Sequence, residues 1–346
     1  MKFSVFLSLQ RIHRPQEYWT SLYEEKRLET IAAEQLGYDM VWIPEHHLIH
    51  FVQGPSALLL AVHLGRDVNI PIGTMTVLLT ARHPLVTAGE LAMADQLLDG
   101  RLVIGVGRGA YEYEFQRFGM DFTEGRERFA EVMDILETIW ASEHYAAQYD
   151  GKFFNFEESA VWPRPVNRPV PASVWIAAMT KPTIAWAAAK GYSVSNWPFI
   201  RGMDDVEAVS QQFHDNAVNE GQKLTILRQT AVSHSEAELE KRIDEVLINH
   251  RINQSLHFYT QKSDESGYVY PEPLENEPSR QDCRDNLLFG TPEEILAKVE
   301  EYDRLGVDEL MLFFDFGPTH EAIMEQMELF ARGVIVPFRS RQRAMA

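Results

Sequence analysis

The chain has one cysteine in 346 residues, Cys283. That excludes an intramolecular disulfide framework and any metal centre built on several thiolates. Long apolar runs are also missing. Runs such as 57–62 fall far short of the roughly 20 residues needed to cross a bilayer. Basic residues are few, 32 Lys and Arg against 51 Asp and Glu, for a net charge of −19. So acidic a surface is repelled by nucleic-acid phosphates and by anionic lipid, and neither is expected as a partner. The opening MKFSVFLSLQ has no basic stretch and no small-residue cleavage site, and Arg11 and His13 follow at once. It reads as a first strand instead of a secretory leader, and the expected location is the cytoplasm.

Apolar residues make up 45% of the chain, with 11% aromatic, which is ample for a packed core. Strand patterns fall at 2–9, 40–43, 69–79, 102–106, 173–178, 192–196, 224–232 and 308–314. Helical patterns alternate with them at 18–36, 56–64, 84–98, 124–142, 181–190, 203–219, 236–258 and 321–332. A further helix start stands at 290–293, with Thr291 as cap and Pro292 in the first turn. Eight strands alternating with helices, with no repeat and no dividing linker, predict a (β/α)₈ TIM barrel in one domain spanning 1–346. A doubly wound sheet is the rival. Two segments lack a period: 151–171, a proline- and aromatic-rich excursion, and 262–286, a polar stretch that reads as a loop.

In such a barrel the site lies at the C-terminal ends of the strands. The stretch 99–128 carries the strongest signal there. Glycines recur at Gly105, Gly107 and Gly109 around Arg108, and Tyr111 follows Ala110. Glycine lets backbone approach a flat or anionic ligand, and an arginine offers a planar fork to phosphate. The spacing is not the dinucleotide fingerprint G-x-G-x-x-G. After the other strands come Gln10 and His13, then Glu45-His46-His47, then Gly73, Thr74, Met75 and Thr76 with Arg82 and His83. Met179, Thr180, Thr183 and Trp197 complete the set. Adjacent histidines on one strand end point apart and seldom chelate one ion, so no metal is expected. One of them is a candidate base or donor and the other a structural histidine. Thr180 and Thr183 stand at a helix start, where hydroxyls and free N–H groups either bind an anion or cap the helix. No G-x-S-x-G elbow is present to support a nucleophile triad.

These residues resemble the bacterial luciferase-like, flavin-dependent monooxygenases. Four stretches carry the likeness: the first ten residues; Gly37-Tyr38-Asp39-Met40-Val41-Trp42 running on to Glu45-His46-His47; Gly73-Thr74-Met75-Thr76-Val77-Leu78 running on to His83-Pro84; and Gly100-Arg101 through Gly109, with Tyr111, Phe115 and Phe118-Gly119. The resemblance implies a barrel that takes reduced FMN from a separate flavin reductase. It implies that O₂ adds to the flavin as a peroxide, which oxygenates a small organic substrate such as an aldehyde or ketone. By the same likeness His46 is the active-site histidine and Arg108 the phosphate-binding arginine, with the backbone of Ala110 beside it. Thr180 and Thr183 are the phosphate's hydroxyl and amide ligands. Met75-Thr76 is a peptide, often cis, under the flavin ring, and 262–286 is a lid. Gly107 stands where luciferase has a reactive cysteine, and Met179 where it has a phosphate-side glutamate. The likeness therefore extends to oxygenation without extending to light emission, and the phosphate contacts are expected to be altered. A deazaflavin-dependent oxidoreductase and a non-catalytic flavin-binding protein are the competing readings. Small and apolar residues on 56–64 and 84–98 predict a homodimer.

Overall fold

The computed structural model describes residues 1–10, 12 and 19–345; His13 lies outside them. The strands are β1 Lys2–Phe6, β2 Met40–Ile43, β3 Ile72–Thr74, β4 Val77–Leu78, β5 Leu102–Gly107, β6 Ala146–Asp150, β7 Asn155–Ala160, β8 Val174–Ala177, β9 Ser193–Asn196, β10 Leu224–Val232, β11 Leu288–Gly290 and β12 Glu309–Phe313. Eight of them close a parallel barrel in the order β1, β2, β3, β5, β8, β9, β10, β12 and back to β1. Helices cover its outside, as expected for parallel strands buried on both faces.

The period of two divides the core cleanly. Phe3, Val5, Val41, Ile43, Leu310 and Leu312 face the helices. Phe6, Met40, Trp42, Met311 and Phe313 alternate with them and fill the barrel. Trp42 is the largest fully buried side chain among the described residues. It fits because residue 73 is glycine: a Cβ there would lie 2.2 Å from the indole. At the barrel floor the buried Glu309 accepts the Trp42 Nε1–H at 2.6 Å and the Ser4 hydroxyl. Burial pushes that carboxyl above its ordinary range.

Local chemistry sets several helix starts. Ser56 caps Ala57–Gly65 through the N–H of Leu59. Pro84 opens Pro84–Leu97, whose cap is the His83 ring. Thr291 and Glu294 form a reciprocal capping box at Pro292–Arg304.

Several boundaries differ from expectation; the first strand ends at Phe6 and the helix from Met203 at His214. The strand at 69–79 is two short strands, β3 and β4, separated at Met75 and Thr76, where Gly105 and Gly107 of β5 come against the chain. The excursion at 151–171 begins earlier, with an antiparallel hairpin of β6 and β7. Its turn is tied to Glu131, which accepts the N–H groups of Phe153 and Phe154 at 3.0 and 2.7 Å. That carboxylate comes from a helix distant in sequence, so no local pattern reveals it. The loop at 262–286 ends in a helix, Arg280–Asn286, capped by Ser279 and Asp282. The last helix does not stop at 332 but continues through a π-helical turn, Ala331–Ile335, to Met345.

Candidate active site

At the end of β2, three residues in succession take separate tasks. Glu45 is buried and ties neighbouring elements together. Its carboxylate accepts two bonds from Arg82, at 2.9 and 3.1 Å, and the N–H groups of Ala57 and Leu78 at 3.2 and 3.3 Å. Burial pushes this carboxyl up, but the bonds from His47 and Arg82 outweigh it and hold the group below its ordinary value. His47 turns its Nε2 to Glu45, at 3.3 Å. His46 turns the other way. Its Nδ1 lies 3.2 Å from Glu114 Oε2, and its ring stacks on Tyr111 at 4.5 Å between centroids. Adjacent residues on an extended strand end diverge in this manner.

Glu114 comes from the short helix Glu112–Arg117 that follows β5. It is buried, and its second oxygen accepts the N–H of His47 at 2.5 Å. A carboxylate at Nδ1 favours the proton on that nitrogen and leaves Nε2 of a neutral ring as the acceptor, the arrangement of a positioned base. Tyr111 is fixed in turn by its hydroxyl bond to Asn253, whose amide reaches Asn249, which bonds Gln10. This chain joins the ends of β1 and β5 through the helix Glu236–His257.

A cationic corner lies at the end of β5. Arg108 is half-buried with its guanidinium 4.7 Å over the Phe122 ring, and it pairs with no carboxylate among the described residues. Burial and then the charge of Arg126 pull its pKa below the ordinary arginine value. The neighbouring strand end, after β8, carries Thr180 and Thr183, whose hydroxyls lie 2.9 Å apart. Thr180 stands at the N-cap of Lys181–Ala189, but its hydroxyl pairs with that of Thr183 and caps no N–H. Its side chain thus leaves the N–H groups of the first turn uncapped, and Pro182 has none to offer. Met179 beside it is 42% exposed. The Ala110 carbonyl lies 3.2 Å from His257 Nδ1.

The remaining candidates lie between these corners. The Met75–Thr76 peptide is cis. Thr76 packs on Gly107, where a Cβ would come within 2.8 Å of the threonine hydroxyl. Trp197, after β9, donates its indole N–H to Gln229 at 3.4 Å and borders the interior cluster that holds Met75. The strand ends thus bring together His46 with Tyr111, Thr76 with Gly107, and Thr180 with Thr183. No hydrogen bond among the described residues joins Arg108 to either threonine. Two cavities, of about 680 and 540 Å³, lie elsewhere, beside the β6–β7 hairpin and on the N-terminal face. Sequence reading missed Glu114, Asn253 and Gln229. The signal available for Glu114 was its place three residues after Tyr111, on the same face of a helical turn.

The model of the luciferase-like monooxygenase family matches residues 1–309. The chain belongs to that family. Among curated relatives, this luciferase-like monooxygenase is 27% identical over 350 residues to the oxygenase component of a flavin-dependent trigonelline monooxygenase from Acinetobacter baylyi, covering 98% of this chain and 96% of the relative. Its fold matches that of a monooxygenase from Streptomyces bottropensis with a TM-score of 0.80 at 24% identity, over 98% of this chain and all of that one. Two further folds match with TM-scores of 0.75: the oxygenating constituent of a diketocamphane monooxygenase from Pseudomonas putida in complex with FMN, at 17% identity, and an F420-dependent secondary alcohol dehydrogenase, at 18%. Each covers 96% of this chain, and the chain covers 98% of each. Among the described residues of this family member, no helix is long and apolar enough to cross a membrane, and no three His, Cys, Asp or Glu side chains stand where they could hold a metal.

Proposed function

We propose that the chain is the oxygenase component of a two-component monooxygenase. It takes reduced FMN from a separate reductase and uses O₂ to oxygenate a small organic molecule. The observation that carries this reading is the half-buried Arg108 guanidinium, paired with no carboxylate among the described residues, on the strand end next to the Thr180–Thr183 hydroxyl pair. A guanidinium fork, two hydroxyls and an uncapped helix start are the donors a terminal phosphate takes. The relative from Acinetobacter baylyi, similar over nearly its whole length, carries a flavin-dependent oxygenase name and supports the same reading.

The reduced flavin, when bound, supplies two electrons and activates O₂, so that one oxygen atom enters the substrate and the other leaves as water. The protein's residues do the rest. Arg108, Thr180 and Thr183 hold the phosphate end. Met75, Thr76 and Gly107 offer close backbone approach for a flat ring. His46, oriented by Glu114, accepts or returns a proton at Nε2. The aromatic interior around Trp42 and Phe313 keeps the mouth dry.

A deazaflavin-dependent hydride transfer is the second reading, because the F420-dependent dehydrogenase shares the fold as fully as the FMN-binding oxygenase does. Anaerobic titration with reduced FMN, followed by mixing with oxygenated buffer and substrate, separates the two. Oxygen-dependent turnover with reduced FMN supports the oxygenase. Substrate oxidation by F420 without oxygen, and no FMN binding, overturns it.

A further inference from the structure

The segment after β9 is held with unusual completeness. Pro198 to Arg201 closes a turn in which Arg201 N–H bonds the Pro198 carbonyl at 3.1 Å. Arg228, fully buried on the helix-facing side of β10, donates to the carbonyl of Phe199 at 2.7 Å and to that of Arg201 at 2.9 Å. Asn286 donates to the carbonyl between them, Ile200, at 3.1 Å. Three successive carbonyls are thus tied by side chains from two other elements. Arg228 is itself anchored on the Tyr302 hydroxyl at 2.6 Å. Phe199 sits at φ +52°, a backbone state that costs a non-glycine residue on the order of 1 kcal/mol and persists where surroundings impose it.

The clamp presents two rings. Trp197 and Phe199 lie 4.5 Å apart between centroids, and both are half-buried. Behind them the rings continue edge to face: Trp197 on Phe313 at 6.1 Å, and Phe313 on Phe6 and Phe316 at 5.4 and 5.8 Å. The inner rings are buried, so Trp197 and Phe199 are the open end of an aromatic wall. One neutral polar group stands beside it. The indole N–H of Trp197 is a donor only, so it must meet the oxygen of the Gln229 amide. The NH₂ of that amide then faces away from the indole, and no described residue accepts from it.

We propose that the substrate is a planar aromatic or heteroaromatic ring carrying a hydrogen-bond acceptor, such as a carbonyl, a carboxylate or a ring nitrogen. It stacks on the Trp197–Phe199 shelf and takes a hydrogen bond from the Gln229 NH₂. This rests on the mouth of the barrel being the flavin site. Ring faces and edges held at fixed angles reward another ring over a flexible chain. A shelf whose backbone is already immobilised pays little ordering entropy when the ring arrives.

The test is calorimetric titration of the protein, flavin-free and loaded with reduced FMN under anaerobic conditions, with benzamide, cyclohexanecarboxamide and octanal. Benzamide is expected to bind roughly three- to tenfold more tightly than its saturated counterpart, the range an aromatic contact contributes. Phe199→Leu, a change at a half-exposed ring, should erase that ratio and leave FMN binding unchanged. Equal affinity for the two carboxamides, tighter binding of octanal, or no benzamide binding overturns the inference. FMN binding without ring preference sinks this proposal alone. Ring preference without FMN binding sinks the flavin reading and leaves the aromatic site standing.

Discussion

Glu114 holds His46 from both sides of one peptide: one carboxylate oxygen lies 3.2 Å from the His46 ring nitrogen, and the other accepts the N–H of the next residue. The pair therefore sets both the tautomer of the ring and the path of the strand end that carries it. Glu114→Gln retains the shape but presents an NH₂ that can donate to Nδ1 and favour the wrong tautomer. Product formation in a single turnover should fall by about 10² to 10⁴, the range for a mis-set or missing acid–base group. His46→Ala should fall as far, with hydrogen peroxide released in place of product. FMN affinity should move little in either variant. Wild-type product yield in His46→Ala, with loss in His47→Ala, would exchange the roles of the two histidines.

Arg108→Ala should weaken binding of reduced FMN about tenfold to a hundredfold. That corresponds to roughly 1.5–3 kcal/mol for a charge-assisted bond to phosphate. The melting temperature should change little, because a half-buried cation that meets the Phe122 ring and no carboxylate among the described residues adds little to the stability of the free protein. Stopped-flow titration reads the first quantity and calorimetry the second. An unchanged FMN constant would place the phosphate elsewhere.

His320 couples stability to pH. Its Nδ1 lies 3.0 Å from Glu29, and that hydrogen bond raises its pKa above 6.5. Glu29 is buried and also holds Lys26, which reaches Asp315 at 2.8 Å. A histidine whose pKa is raised by folding contributes its stability fully below its unfolded pKa and loses it as pH rises through the folded value. In urea unfolding, the excess stability of the wild type over His320→Gln should therefore be larger at pH 5.5 than at pH 9. A difference that stays flat or grows with pH would contradict this assignment.

The outer faces of Ala57–Gly65 and Pro84–Leu97 expose Leu59, Val86, Met93 and Leu97, each more than half accessible. The two helices pack side by side. Apolar surface of this continuity favours association, and identical chains pair most simply about a two-fold axis. Light scattering at micromolar concentration should give twice the chain mass, and Leu59→Glu with Met93→Glu should halve it. A wild-type monomer would remove the idea.

The alternation of strand and helix was legible in the sequence because it depends on local period, turn residues and caps. Thr291 with Glu294, and Pro84 after His83, are read within four residues of chain. The eight barrel strands follow from that alternation, because parallel neighbours need helical crossovers. Histidine, arginine and threonine at strand ends were visible for the same reason: their residue types and spacing are local.

The tertiary structure decided which of these groups have partners. Glu114 meets His46 across 68 positions, Arg228 meets Phe199 across 29, and Gln10 meets Asn249 across 239. No period or propensity encodes such meetings. They arise when the barrel closes and brings the ends of separate strands to one mouth, where burial makes each unmatched charge or amide costly. The same closure sent Glu45, adjacent to His46, into the scaffold, and among the described residues it left Arg108 with no carboxylate beside it.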